Sequence, residues 1–65
     1  MNSEEPRVYV SHRYSIKQTC ALLGIHRNTL RYYTDKGFIK CGYRMPSKRK
    51  FYTGRDILYF WRGKY

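Results

Sequence analysis

One glycine constrains this chain more than any other residue. Gly24 divides the run SIKQTCALLGIHRNTLRYYTDKGFI, from Ser15 to Ile39, into two short segments with apolar residues at helical spacing. Upstream, Ile16, Cys20 and Leu23 recur three and four apart, with Thr19 and Leu22 beside them, so they share one helix face. Ser15 offers a hydroxyl to a free backbone N–H of the first turn, and Gly24 can adopt the left-handed backbone that ends a helix. The spacing predicts a first helix over Ser15 to Leu23. The chain restarts near His26, and a second helix is expected from Arg27 to Lys36, closed by Gly37 as Gly24 closes the first. Ile25, Leu30 and Phe38 can then meet Ile16, Cys20 and Leu23 in one core.

The second segment is not built for helicity alone. Leu30 and Tyr33 form a narrow apolar stripe, while Arg27, Asn28, Arg31, Tyr32 and Asp35 fall on the other side. Asn28, Thr29, Tyr32, Tyr33 and Thr34 all have weaker helix propensity than Ala, Leu, Glu or Lys. The first helix must therefore hold the second, whose outer face is mostly hydrogen-bond donors and one aromatic ring. Arg reaches guanine O6/N7 and Asn reaches adenine N6/N7 from a helix in the major groove of DNA. Two helices joined by a turn of about three or four residues containing a glycine make a helix-turn-helix unit.

Charge points the same way. Fourteen Lys and Arg stand against four Asp and Glu in 65 residues, a formal charge of +10, spread from Arg7 to Lys64 and not gathered in a tail. A polyanion is the natural partner of such a surface. A chain of this length buries only about 60% of its unfolded surface, so one domain without a deep catalytic cavity is expected. There is no apolar run long enough to span a membrane and no signal-peptide pattern, so neither a membrane nor a secretory route is expected.

Outside the two helices the chain divides readily. Residues 1–13 are expected to be a flexible polar and basic arm, with Met1 to Glu5 a disordered lead-in and Arg7 to Val10 either a brief strand or an extended segment. Residues 14–65 form the domain, with Tyr14 placed to pack as a staple against the first helical turn. After the second helix, Phe38-Ile39-Lys40 begins one extended stretch and Lys50-Phe51-Tyr52 ends another. The glycine, proline and serine between them supply turn chemistry, so a hairpin with a basic tip is expected, anchored by Tyr43 and Phe51. Beside a DNA-facing helix such a hairpin is a wing, whose Tyr43, Arg44, Lys48, Arg49 and Lys50 would meet phosphates or the minor groove. Thr53 with Asp56 caps a third helix from about Gly54 to Arg62, whose Ile57, Phe60 and Trp61 cover the open side of the first two. The fold class is mainly α with a small β-hairpin, a winged helix-turn-helix of three short helices plus wing.

No enzyme is expected. The chain has no nucleophile, histidine and acid grouping and no phosphate-loop glycine pattern, and Asp56 serves as a cap. His26, opening the second helix, reads as a cap substitute or phosphate contact. Cys20, Cys41, His12 and His26 lack paired metal-ligand spacing, so no metal and no cofactor is expected. Cys20 on an apolar face reads as a core residue, and both thiols as free in a reducing compartment.

The stretch from Tyr14 to Ile39 resembles the DNA-binding segment of the mercury-resistance-regulator (MerR) family and its small relatives, the excisionase-type winged helix-turn-helix proteins. The likeness rests on Tyr14 and Ile16, Leu22-Leu23-Gly24-Ile25, Thr29-Leu30-Arg31-Tyr32-Tyr33, Lys36-Gly37-Phe38-Ile39, and Tyr52-Thr53 with Asp56-Ile57. It departs at Arg27, where the family often has proline, and in the wing run Ser47-Lys48-Arg49-Lys50. The resemblance implies that Arg27, Asn28, Arg31 and Tyr32 face double-stranded DNA. The chain stops at Tyr65, without the coiled coil and effector domain of MerR regulators, and its wing is very basic. The expectation is an excisionase-like recombination directionality factor, bacterial and cytoplasmic, that bends DNA for a site-specific recombinase. The alternatives are the DNA-binding part of a MerR-like transcription regulator and a protein-interaction adaptor contacting through Tyr32, Tyr43 and Tyr59.

Overall fold

The computed structural model describes residues 3–63. Its elements run β1 (Arg13–Ser15), α1 (Ile16–Leu23), α2 (Arg27–Asp35), β2 (Gly42–Arg44), β3 (Arg49–Thr53) and α3 (Gly54–Trp61). The strands make one antiparallel sheet in the order β1-β3-β2. Three helices against this small sheet form a winged helix-turn-helix, with β2 and β3 as the wing.

Local chemistry sets each helix end. Ser15 and Gln18 form a reciprocal capping box: the Ser15 hydroxyl accepts from the Gln18 N–H at 3.1 Å and the Gln18 side chain accepts from the Ser15 N–H at 2.9 Å. At the other end of α1 Gly24 sits at φ 68° and ψ 40°, its N–H donating to the Cys20 carbonyl at 2.8 Å. His26 caps α2 with its ring, Nδ1 accepting from the Asn28 N–H at 3.1 Å. Gly37, at φ 79°, follows α2, and the Phe38 N–H returns to the Tyr33 carbonyl. Thr53 accepts from the Asp56 N–H at 3.2 Å, as expected from the sequence, and opens α3.

The core comprises Leu23, Leu30, Ile39, Tyr52, Ile57 and Phe60. Ile16, Cys20, Ile25, Tyr33, Phe38 and Trp61 pack partly buried against it. The apolar face expected for each helix is thus the face that packs.

The strands decide one open alternative and correct the sequence reading at two further points. Among the described residues no strand lies at Arg7 to Val10; the third strand is Arg13–Ser15, which pairs Arg13 with Thr53, Tyr14 with Tyr52 and Ser15 with Phe51. A three-residue strand has too few positions for an alternation to show, and its pairing is set by the distant β3. Phe38-Ile39-Lys40 does not begin the hairpin, because Ile39 is drawn into the core and β2 starts only at Gly42. Finally, Tyr43 is 56% exposed and does not anchor the wing; Tyr52, 1% exposed, does, while Phe51 packs on the outer face beneath the Arg13 guanidinium.

The part of the expected arm that the structure describes lies on the domain. Pro6 is buried and Val8 packs against the core. The Gly54 N–H donates to the His12 carbonyl at 3.0 Å and the Arg55 N–H to the Val10 carbonyl at 3.2 Å, so this segment satisfies free donors at the start of α3. The approach needs a glycine: a Cβ on Gly54 would stand 2.0 Å from the Tyr9 carbonyl oxygen. Met1 and Asn2 of the expected lead-in lie outside the described residues.

Candidate nucleic-acid interface

Between α2, the start of α1 and the wing lies a cleft of about 600 Å³. Arg27 and Arg31, one turn apart on α2, form one wall, and Lys48, Arg49 and Lys50 of the hairpin form the other. Ser15, Ile16 and Lys17 close one side, with Leu30 and Tyr52 also in the lining. Its lining holds six cations and no carboxylate. Glu4 and Glu5 line a different hollow with Arg7, Ala21 and Leu22, and Glu5 pairs with Arg62 at 2.7 Å. Like charges crowded on one face repel one another, an arrangement relieved by a polyanion.

The structure brings five of the nine expected site residues together in this cleft: Arg27, Arg31, Lys48, Arg49 and Lys50. Asn28 and Tyr32 are exposed elsewhere on α2. The Tyr32 ring, 54% exposed, stands 5.9 Å from that of Tyr33 and 5.7 Å from the Lys36 ammonium, so it is braced by its own helix. Tyr43 and Arg44 are exposed on β2. The cross-strand pair of Tyr43 with Lys50 puts both on one face of the hairpin.

Lys17 is a cleft residue that the sequence reading did not single out. The signal was present: Ile16, Cys20 and Leu23 face inward, which turns Lys17 outward at the start of α1. Its place opposite α2 depends on the angle between two helices and is not a local property.

One part-buried contact joins the two walls. The Thr34 hydroxyl donates to the Leu30 carbonyl at 2.8 Å, which leaves it to accept from the Tyr52 hydroxyl at 2.6 Å. The last turn of α2 is thus tied to Tyr52, one residue from the end of β3. Burial pushes the Tyr52 phenol above its ordinary value. Burial likewise raises the Cys20 thiol, against the opposing pull of the Arg27 guanidinium. Both groups stay neutral at ordinary pH beneath a face of fixed cations.

Comparison with known proteins adds a decisive observation: the family model described as a helix-turn-helix domain matches residues 13–65. The chain belongs to the helix-turn-helix domain family. The match begins at Arg13, the first residue of β1, and takes in both helices, the wing and α3. In DNA-binding helix-turn-helix units the second helix enters the major groove; here that helix is α2. No curated protein and no solved structure matched the chain.

Proposed function

We propose that this helix-turn-helix protein binds double-stranded DNA with sequence selectivity and acts as an excisionase-like directionality factor, bending DNA for a site-specific recombinase. The observation that carries the DNA reading is the cleft, where cations from α2, α1 and the wing converge without a carboxylate among them. In this reading α2 lies in the major groove, with Arg27, Asn28, Arg31 and Tyr32 reaching bases and neighbouring phosphates. The wing, with Tyr43, Arg44, Lys48, Arg49 and Lys50, grips the flanking backbone or minor groove, and Lys17 adds a phosphate contact from α1. The excisionase role is supported by the likeness of the Tyr14 to Ile39 stretch and by the strongly basic wing.

Selection of bound duplexes from a random pool at near-physiological salt tests this. Enrichment of a short asymmetric site, or of direct repeats of it, supports a monomeric or head-to-tail bending factor. An inverted repeat would replace that role with a symmetric dimer of the regulator kind. Recovery of no preferred sequence would remove the specific part of the proposal and leave charge alone.

The division of labour has its own check. Arg31→Ala is expected to weaken the selected site by about 1–3 kcal/mol while barely affecting random duplex. Lys48→Ala should weaken every duplex alike and flatten the dependence of log K on log salt by about one. Equal effects of the two substitutions on both duplexes would refute that assignment.

A further inference from the structure

The wing ends in a pair of apolar side chains that the cleft does not use. Beyond the closing pair Arg44 and Arg49, the loop runs Met45-Pro46-Ser47-Lys48. Met45 is 73% exposed and Pro46 is exposed beside it, so neither contributes to the core. The loop closes through the Lys48 N–H donating to the Arg44 carbonyl, with Lys48 itself at φ 58°. Cations thus stand on both sides of the apolar apex: Arg44 before it, Lys48 and Arg49 after it.

We propose that Met45 and Pro46 form a wedge that enters the minor groove and parts two stacked base pairs, so that the wing itself kinks the duplex. This rests on the DNA-binding reading above and adds to it the residues that bend and the groove they enter. Methionine and proline are among the apolar residues that unstack base steps from the minor groove, where insertion bends the helix toward the major groove. The charge around the apex selects this occupant over an apolar protein surface. Arg44, Lys48 and Arg49 would each lose hydration against a greasy partner, whereas in the minor groove they lie near phosphates on either side of the inserted pair. Pyrimidine–purine steps, TA and CA/TG, are the most easily unstacked, so the wedge selects such a step beside the segment read by α2, without any hydrogen bond to its bases.

The test uses the full chain and a duplex retained in the selection experiment, with 2-aminopurine placed at successive flanking positions and dyes at the two ends. Binding is expected to raise 2-aminopurine fluorescence at one step and to bring the ends closer. Met45→Ala and Met45→Gln should abolish both signals while lowering affinity by less than about tenfold. Because Met45 is exposed, neither substitution should change the helical circular dichroism of the free protein. Retention of the fluorescence rise and the bend in both variants would overturn the wedge, as would a wild-type complex in which every position stays quenched. In either case continued duplex binding leaves the DNA-binding reading intact; failure of the wild-type chain to retain any duplex would overturn both.

Discussion

At the scale of single residues, two polar side chains carry opposite expectations. His26 caps α2 through Nδ1, and its removal leaves the Asn28 N–H without that partner. His26→Ala should cost about 1 kcal/mol, as loss of an N-cap commonly does. His26→Asn, which retains an acceptor, should cost less. In a domain of this size about 1 kcal/mol moves the midpoint by roughly 4–8 °C, well within reach of a thermal melt. Thr19 is the reverse case. It is wholly buried in α1 and its hydroxyl makes no hydrogen bond among the described residues. A buried, unpaired hydroxyl costs free energy that a methyl group does not, so Thr19→Val should stabilise the fold by about 1 kcal/mol. A lower melting temperature for that variant would show that the hydroxyl has a partner in solution.

At the scale of elements, one hydrogen bond ties α2 to β3. Tyr52 is buried, bonded to Thr34 and shifted upward by its burial. A phenol whose folded value lies above its unfolded value of 10.0 binds its proton more tightly in the native state. Its contribution is therefore fully present below about pH 10 and is lost as pH rises through the folded value. Denaturant unfolding of the wild type should show stability falling above about pH 10, and Tyr52→Phe should lose the part of that slope due to this residue. An identical alkaline slope in both proteins would place Tyr52 in water.

The same scale shows what could be read in advance. All three helices were legible because caps and apolar spacing are local: Ser15, Gly24, Thr53 and the stripes from Ile16 to Leu23 and from Ile57 to Trp61 lie within the segments they define. The strands were less so. β1 exists because β3 offers it an edge, and the left-handed position of the wing tip is filled by Lys48, where a rule that looks for glycine finds none. Tyr52 and Phe51 are adjacent aromatics on opposite sheet faces. Which of them is core depends on the side α2 occupies, a tertiary fact. The cleft was half legible for the same reason: Arg27 and Arg31 follow from helical phase, but their meeting with Lys17 across two helices does not.

At the scale of the whole molecule, charge is distributed to a purpose that composition alone does not reveal. The acids Glu4 and Glu5 line a separate hollow, and the cleft gathers six cations from three elements. If the four outside α2, Lys17, Lys48, Arg49 and Lys50, each meet a phosphate, log K should fall with log salt at a slope of about −4. Titration of a labelled duplex across a range of salt concentrations measures this, and a slope near −1 would mean that the cleft does not engage the backbone. The Thr34–Tyr52 bond gives this surface a second property. In the proposed DNA complex, where α2 and the wing both grip the duplex, this bond would hold the two gripping elements at a set separation. Each added base pair between the segments they grip turns one contact about 35° around the duplex axis from the other. In that proposed complex the spacing between the two gripped segments would matter to recognition alongside the bases, set by a hydroxyl pair outside the cleft's row of cations.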